Sequence, residues 1–311
     1  MDSEFEVVIA GGGIAGTTAA VTAARLGRKT LVLTGDVPGG QLISIEKIEG
    51  YPGFPEGVPG YDLCPMLQEQ AAAAGAEFMM TGLERLDPQD GQWRVTTGEG
   101  DILARAVIVA TGSSLKKLDV PGEERLTGNG VSHCASCDAP LFRDRIVAAV
   151  GGGDSAMQEA LTLAAFASKV IILHRGDALT GQACYRDRVT AHQKIDIRCN
   201  TSVTEILGEA KVTGLRTRQS REGAVADLEV AAVFAYVGLQ PNTAVLRDRL
   251  SLDWAGRIST DGWMRSELTG VCAAGTVRCQ SPYRAVSAAG DGASAAVTID
   301  RYLTDGAWRE G

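Results

Sequence analysis

Two stretches of the chain repeat the same succession of apolar and polar positions. In the first, the apolar run Phe5–Ala10 predicts a strand, the alanine-rich stretch Ile14–Leu26 predicts a helix, and Thr30–Leu33 predicts the next strand. The glycine-rich turn Gly11-Gly12-Gly13-Ile14-Ala15-Gly16 lies between the first strand and the helix. This order predicts a βαβ unit near the start of the chain.

The second stretch lies near the middle of the chain. Arg145–Val150 predicts a strand, Ser155–Ala167 a helix and Lys169–Leu173 a further strand, with the turn Gly151-Gly152-Gly153-Asp154-Ser155-Ala156 after the first of them. Glycines at these places allow a tight turn and a close approach of backbone to a pyrophosphate, which the helix N-terminus binds through its unpaired N–H groups. The two turns therefore predict two dinucleotide sites.

Shorter patterns predict the elements between these units. Tyr61–Ala74 predicts a helix, and Gln92–Thr97 with Ile102–Ala106 predicts a hairpin. Ala106–Ala110 predicts a buried strand that stops at Ala110-Thr111-Gly112. Such small residues let a strand end close to a ligand.

The second half of the chain is predicted to be mainly β-structure before a final helix. The pattern predicts hairpin strands at Val203–Leu207 and Val212–Arg218, and core strands at Val233–Val237 and Val271–Ala274. It then predicts a loop that reaches Gly290-Asp291-Gly292, followed by a helix over Ala293–Leu303.

Two segments with glycine and proline are predicted to be linkers. These are Leu115–Gly122 and Gly238–Asn242, and they flank one complete nucleotide unit. A domain over residues 116–241 is therefore predicted to be inserted into a first domain built from residues 1–115 and 242–311. The predicted fold class is α/β, with two Rossmann-like dinucleotide-binding domains, the second inserted into the first.

Composition narrows the function classes. The 311 residues carry a formal net charge of −8, which argues against a nucleic-acid partner because phosphate binding needs a basic surface. No apolar run is long enough to span a membrane, and the acidic N-terminus does not resemble a secretory signal. We therefore expect a cytoplasmic protein without nucleic-acid or membrane partners.

The cysteine pattern suggests redox chemistry. Of seven cysteines, Cys134 and Cys137 form a CxxC pair, followed directly by Asp138. A structural zinc site usually has four ligands, and the other cysteines are scattered singly, so a redox dithiol is favoured over a metal site and no metal is expected. Asp138 is a candidate general acid or base for thiol proton transfer. His133 could tune a thiolate or be a surface residue.

At this point the motifs resemble those of the low-molecular-weight thioredoxin reductase family, over nearly the whole chain. The motifs that carry the resemblance are Gly11–Gly16, Gly39-Gly40-Gln41-Leu42, Glu49-Gly50-Tyr51-Pro52-Gly53, Ala110-Thr111-Gly112, Cys134–Asp138, Gly151–Ala156, His174-Arg175 and Gly290-Asp291-Gly292. The resemblance implies a homodimer with an FAD domain and an inserted NADPH domain that rotates between two positions. It also implies a relay from NADPH or NADH through FAD to the dithiol, and from there to a thioredoxin-like protein disulfide.

The resemblance also implies roles for individual residues. Cys137 would be the thiol that faces the flavin, Cys134 the interchange thiol and Asp138 the proton donor. The residues implied to bind FAD are Gly11, Gly13, Ala15, Gly16, Gly40, Gln41, Thr111, Gly112, Thr276, Arg284 and Asp291. Those implied to bind the pyridine nucleotide are Gly151, Gly153, Ser155, Ala156, His174 and Arg175.

The chain departs from the family pattern at three places. The HRRxxxR stretch that reads the 2′-phosphate of NADPH corresponds here to 174–180, which keeps only Arg175 of three arginines. The family's Ala-Gly-Asp flavin motif ends here in Thr276, and its Arg-Gln pair reads Tyr283-Arg284. Loss of two forked, charge-assisted donors is expected to weaken the discrimination for NADPH.

Three other functions remain open from these departures. The relay could run in reverse, as a dithiol oxidase that forms a disulfide in a small-molecule natural product and passes electrons to oxygen or NADP. Alternatively, ferredoxin or another protein could supply the electrons, with a vestigial second nucleotide turn. A non-enzymatic flavoprotein, acting as a redox sensor or scaffold, is the remaining hypothesis.

Overall fold

The computed structural model describes residues 3–308 and divides into two compact units. One unit comprises the residues up to Ser114 together with those from Gln240 onward, and the other comprises Leu115–Leu239. The second unit is thus inserted into the chain of the first. Over the described residues, no helix is both long enough and apolar enough to cross a membrane.

The first unit opens with the βαβ arrangement that the sequence predicts. It consists of β1 (Ser3–Ala10), α1 (Ile14–Arg25) and β2 (Thr30–Leu33), and β1 pairs in parallel with β2. The strand predicted at Thr30–Leu33 is confirmed with the same bounds. Alternate residues of β1 are buried on opposite faces of the sheet, since Val7 and Ile9 pack with α1 while Val8 packs with Leu31 and Leu33 on the other side.

The rest of this N-terminal segment completes most of a seven-stranded sheet. Its elements are α2 (Gly60–Ala73), β3 (Glu77–Met79), β4 (Arg85–Gln89), β5 (Gln92–Thr97) and β6 (Gly100–Val109). The predicted hairpin is confirmed as the antiparallel pair of β5 and β6. The two strand segments predicted on either side of Ala106 are one continuous strand, because β6 pairs with β1 over most of its length.

Two short strands pair where the chain leaves the first unit and returns to it. They are β7 (Ser113–Leu115) and, later in the chain, Leu239–Pro241. β7 ends on the first residue of the predicted linker Leu115–Gly122, and Leu239–Pro241 lies within the predicted linker Gly238–Asn242.

The second unit is built on a five-stranded parallel sheet. The elements up to its outer strand are α3 (Glu123–Leu126), β8 (Val131–Ser132), α4 (Ala135–Asp138), β9 (Ile146–Val150), α5 (Asp154–Ala164), β10 (Lys169–Leu173), α6 (Ala183–Ala191) and β11 (Ile195–Arg198). The predicted helix over Ser155–Ala167 is confirmed with shorter bounds, as α5. Alternating residues of β9 again face two cores, with Val147 and Ala149 packed beneath α5.

An antiparallel sheet follows before the chain returns to the parallel one. Its strands are β12 (Thr201–Leu207), β13 (Gly214–Gln219) and β14 (Val225–Glu229). The next strand, β15 (Ala232–Ala235), pairs with β9 and β8, and β16 (Leu239–Pro241) begins at the last residue of the insertion. The sequence predicts only the first two strands of this three-stranded sheet. β14 has almost no buried side chains, so its pattern lacks the alternation that predicts a strand.

The chain closes with β17 (Val271–Ala273) and α7 (Ala285–Asp305) in the first unit. The loop predicted at Gly290-Asp291-Gly292 is wrong, because these residues lie inside α7. The glycine at 292 serves packing instead of a turn: a Cβ there would lie 2.1 Å from the Ala15 carbonyl oxygen. α7 therefore crosses the first turn of α1 in close contact.

Candidate active site and cofactor sites

The glycines of the first turn are of two kinds, those with no room for a side chain and one with open space beside it. Gly11 has φ +121°, and a Cβ there would lie 2.2 Å from the Ala110 carbonyl oxygen; a Cβ on Gly16 would lie 1.8 Å from the Gly11 carbonyl oxygen. These two glycines let β1, α1 and β6 approach one another. Gly13 differs, because its φ is −76° and no atom among the described residues, its chain neighbours aside, lies within 4 Å of its Cβ position.

Gly13 is also the residue that caps α1 at its N-terminus, and it has no side chain to satisfy the first N–H groups of the helix. A helix start with unpaired N–H groups and open space beside it suits a phosphate. The backbone of Gly40 lies against the same residue, since a Cβ on Gly40 would lie 3.2 Å from the Gly13 Cα atom. The turn thus has the shape that a dinucleotide pyrophosphate requires.

A hydrogen-bonded line connects predicted flavin residues that are distant in the chain. The Gln41 side-chain amide donates to the Ser113 carbonyl oxygen. The Ser113 hydroxyl donates to the carbonyl oxygen of Thr276, 3.1 Å away, and lies 3.1 Å from the Thr276 hydroxyl. Sequence reasoning missed Ser113, which is 5% exposed; its place directly after the Ala110-Thr111-Gly112 stop was the available signal.

Asn242 is a second residue that sequence reasoning missed. Its side-chain amide donates to the Thr111 carbonyl oxygen at 2.9 Å, and its backbone N–H donates to the Gly112 carbonyl oxygen at 3.0 Å. The Thr111 hydroxyl donates to the Asn242 carbonyl oxygen at 2.8 Å. Asn242 therefore fixes the small-residue stop of β6 from a position 131 residues later in the chain.

Asp291 lies inside α7 and not in the predicted loop, and its carboxylate binds other groups of the protein. Its carboxylate is buried in α7 and accepts hydrogen bonds from the Gly275 backbone N–H and from two nitrogens of Arg278. Both oxygens are therefore engaged with the protein itself. Arg284 lies at the exposed start of the same helix.

The second glycine turn also has one glycine packed against backbone and one with open space beside it. Gly151 has φ +147°, and a Cβ there would lie 2.3 Å from the Tyr236 carbonyl oxygen. Gly153 caps α5 with φ −91°, and apart from its chain neighbours no described atom lies within 4 Å of its Cβ position. Ser155 is exposed on the first turn of α5, while Ala156 is fully buried beneath Gly151. The residues again fit a dinucleotide phosphate.

His174 packs beside this turn. Its ring lies between two glycines: a Cβ on Gly152 would lie 2.3 Å from His174 Nδ1, and one on Gly176 would lie 2.6 Å from His174 Nε2. Arg175 is exposed next to it. The Thr180 N–H donates to the Gly152 carbonyl oxygen at 2.8 Å, which ties the 174–180 segment to the glycine turn.

The CxxC pair forms a disulfide at the start of α4. The Cα atoms of Cys134 and Cys137 are 5.3 Å apart, Cys134 is half-buried and Cys137 is exposed. Cys134 caps the short helix, and its sulfur accepts the Cys137 N–H at 3.2 Å. An N–H donor at this sulfur stabilises negative charge on it, as a thiolate nucleophile needs once the disulfide is open.

The two neighbours of the pair have distinct environments. Asp138 follows at the end of α4 and is partly exposed, so it can exchange protons with solvent. His133 Nδ1 lies 3.0 Å from the Ala235 carbonyl oxygen. Because a carbonyl oxygen only accepts, Nδ1 carries the hydrogen, and the ring is anchored to β15 rather than loose on the surface.

The two buried cysteines do not extend the dithiol site. Burial raises the pKa of the Cys64 thiol to about 11, and burial also raises the pKa of Cys272, so neither thiol is a nucleophile at neutral pH. Cys184 is exposed on α6. Over residues 3–308, no three His, Cys, Asp or Glu side chains come together as a metal site.

Comparison with known proteins agrees with this site. Residues 5–292 match the family described as pyridine nucleotide-disulphide oxidoreductase. The thioredoxin reductase of Mycolicibacterium smegmatis is 40% identical over 301 residues, which cover 96% of this chain and 97% of that protein. That of Treponema pallidum is 36% identical over 303 residues, covering 97% and 98%. The crystal structure of Lactococcus lactis thioredoxin reductase matches with a TM-score of 0.94 and 35% identity over 97% of this chain and 99% of that one.

These matches span both glycine turns and the dithiol, so the resemblance and the two-domain α/β fold class are confirmed. The two open helix N-termini at Gly13 and Gly153 fit the two dinucleotides that such an enzyme needs. The chain belongs to the pyridine nucleotide-disulphide oxidoreductase family and is a flavin-dependent oxidoreductase of the low-molecular-weight thioredoxin reductase type, with FAD and a pyridine nucleotide as its cofactors.

Proposed function

We propose that this chain reduces the disulfide of a thioredoxin-like protein with electrons from NADPH or NADH. The observation that carries the proposal is the Cys134–Cys137 disulfide, which caps a helix start and is partly exposed. An exposed disulfide is typical of a catalytic or regulatory pair, whereas structural disulfides resist reduction. FAD, held in the unit that contains Gly13, would supply the redox centre between the nicotinamide and this disulfide.

The two cysteines cycle between a disulfide and a dithiol. The Cys134–Cys137 bond takes up two electrons and two protons and becomes a dithiol. The Cys134 thiolate attacks one sulfur of the partner's disulfide and forms a mixed disulfide, and the partner's other sulfur leaves as a thiolate. Cys137 then attacks Cys134, which re-forms the internal disulfide and releases the reduced partner. Asp138 supplies and accepts the protons that these thiols exchange.

We further propose which unit holds which cofactor. The unit that contains Gly13 would bind FAD, and the unit that contains Gly153 would bind the pyridine nucleotide. The open helix N-terminus at each of these glycines supports one dinucleotide in each unit. The order of the two follows the family pattern, in which the first glycine turn belongs to the FAD domain. The homodimer and the cytoplasmic location that the family implies remain predictions, and sedimentation of the purified protein tests the first of them.

The choice between NADPH and NADH is proposed to be weak. Only Arg175 is present where the family pattern has three arginines, and the places of the other two are taken by Gly176 and Thr180. Thr180 is tied to the glycine turn through its N–H, and its hydroxyl lies 3.2 Å from the Gly152 carbonyl oxygen. A neutral side chain used in this way contributes no charge toward a 2′-phosphate.

The same loss of arginines is the observation that favours a second candidate. In it, the electrons enter from a thiol substrate or from a protein donor instead of from NADPH or NADH. A dithiol oxidase would take electrons from a small-molecule dithiol and pass them to oxygen or NADP. A ferredoxin-fed reductase would still reduce a protein disulfide.

Anaerobic mixing of the purified protein with NADPH, and separately with NADH, separates these functions. We expect either nucleotide to bleach the flavin absorbance and to expose two new thiols per chain, counted with a thiol reagent. Bleaching only by a dithiol would identify the oxidase, and bleaching only by reduced ferredoxin would identify the protein-fed reductase.

Two cysteine variants complete this test. Cys134→Ser should abolish reduction of a thioredoxin disulfide and leave the Cys137 thiol to give a long-wavelength absorbance band with oxidised flavin. Cys184→Ser is the matched control, because Cys184 is exposed and lies outside the CxxC pair. If disulfide reduction survives in Cys134→Ser, the dithiol is not part of the relay.

A further inference from the structure

A buried ion pair lies beneath the turn that carries Thr276. Arg278 Nε donates to Asp291 Oδ2 at 2.7 Å, and Arg278 Nη2 donates to Asp291 Oδ1 at 2.7 Å. The side chains are only 12% and 8% exposed. The third guanidinium nitrogen donates to the Cys279 carbonyl oxygen at 2.9 Å. The arginine is thus locked in one orientation by a forked contact on one side and a carbonyl on the other.

The carboxylate of this pair also holds backbone. The Gly275 N–H donates to Asp291 Oδ2 at 3.1 Å, so the acid links α7 to the short helical turn Gly275–Val277. A buried carboxylate is stable only when donors satisfy it, and here three N–H groups do so. The pair and the turn therefore form one unit that cannot shift in parts without leaving a buried charge unpaired.

This unit sits against the start of α1. A Cβ on Gly275, whose φ is +83°, would lie 3.0 Å from the Ala15 Cβ, and a Cβ on Gly292 would lie 2.1 Å from the Ala15 carbonyl oxygen. Gly292, which follows Asp291, and Gly275, whose N–H donates to Asp291, both lie against the first turn of α1. The position of Thr276 relative to the open helix N-terminus at Gly13 therefore depends on the Arg278–Asp291 pair.

We propose that Arg278 and Asp291 are positioning residues for FAD: they hold the Gly275–Val277 turn in register with the first glycine turn, and Asp291 acts through this turn instead of touching the cofactor. The inference rests on the proposed placement of FAD at Gly13. It assigns a role to Arg278, which the motif pattern did not single out.

The test measures FAD affinity of the flavin-free full-length protein by fluorescence titration. Asp291→Asn keeps an acceptor for the Gly275 N–H but leaves Arg278 without its charge partner, and we expect FAD to bind about 10-fold more weakly. Because breaking a buried pair can prevent folding, the double change Asp291→Leu with Arg278→Met is the second variant, since replacing both partners by apolar residues is tolerated in protein interiors. It should fold, lose the link to Gly275, and weaken FAD to a similar degree.

A coupling measurement distinguishes positioning from a general loss of stability. Thr276→Ala should weaken FAD in the otherwise unchanged protein but have little further effect in the double variant, because the turn is already displaced there. Binding of NADPH or NADH by the second unit should stay unchanged in every variant. Additive effects of Thr276→Ala and the double change would overturn the proposal.

Gly13→Ser separates failure of this inference from failure of the cofactor placement. If Gly13→Ser weakens FAD while the folded double variant binds it as the unchanged protein does, the placement stands and the positioning role is wrong. If Gly13→Ser also binds FAD normally, the placement is wrong and the inference falls with it.

Discussion

Replacing Gly13 by serine should weaken FAD binding without weakening the fold. Gly13 is the N-cap of α1 in an extended conformation that any residue can adopt, with φ −76° and ψ −178°. The space at its Cβ position is open as far as the described residues extend. A serine there meets little protein, but it occupies the side from which a pyrophosphate approaches the helix.

The substitution should stabilise the flavin-free protein but weaken its binding of FAD. Serine is a better N-cap than glycine by a few tenths of a kcal/mol, and losing a glycine lowers the entropy of the unfolded chain by about 0.4–1 kcal/mol in free-energy terms. The flavin-free protein should therefore melt about 2 °C higher. In the complex with FAD, the methylene added at position 13 crowds the pyrophosphate, which costs about 1–3 kcal/mol of binding free energy. The serine hydroxyl also competes with the pyrophosphate for the helix N–H groups. FAD should bind roughly 5- to 150-fold more weakly.

The assay is a paired measurement on flavin-free protein: a thermal melt, and a titration with FAD followed by flavin fluorescence. Gly153→Ser is the matched variant, because Gly153 has the same N-cap role and the same open Cβ position in the second unit. It should weaken the pyridine nucleotide and leave FAD unchanged. Gly16→Ser is the opposite control, since its Cβ would lie 1.8 Å from the Gly11 carbonyl oxygen and should lower the melting temperature.

Three results would refute this reasoning. FAD affinity within twofold of normal in Gly13→Ser would mean that the pyrophosphate does not approach this helix start. A lowered melting temperature would mean that the site is not open in the folded protein. Loss of FAD from Gly153→Ser would mean that the two turns do not serve separate cofactors.

Two further predictions concern specificity and acid stability. Thr180→Arg should raise the preference for NADPH over NADH, measured as the ratio of kcat/KM values; Gly176 is left unchanged because a Cβ there would lie 2.6 Å from His174 Nε2. An unchanged ratio would mean that position 180 does not read the 2′-phosphate. In the N-terminal strand, burial acts to raise the pKa of Glu6, but hydrogen bonds from the Lys29 N–H and from Arg28 outweigh it and hold the pKa below its ordinary value of 4.5. A lowered pKa contributes stability above the ordinary value and loses it as pH falls through the folded-state value. Glu6→Gln should therefore lower the urea midpoint at pH 7 and narrow its difference from the midpoint at pH 3; an equal difference in both proteins would contradict this role.

Local pattern was sufficient for the elements whose signals lie within a few residues. The strand Thr30–Leu33, the hairpin of β5 and β6 and the helix α5 were all predicted, because periodic burial and glycine turns are written in consecutive positions. The Cys134–Cys137 disulfide follows from a spacing of three residues at a helix start.

The sequence pattern did not predict elements that bury few side chains. α6 buries only Tyr185 and Val189, and β14 is almost wholly exposed, so neither has an apolar face to detect. Two glycines around Asp291 suggested a loop, whereas the helix continues through them because α1 must pass closely at Gly292.

By itself, the sequence determined the two glycine-rich turns, the CxxC pair and the α/β fold class, because their signals lie in residues close together in the chain. Only the tertiary structure decided which glycines pack against backbone and which, like Gly13, leave room for a ligand. It also brought Asn242 to Thr111 and Asp291 to Gly275, and these contacts follow from how strands and helices pack, which no local periodicity encodes.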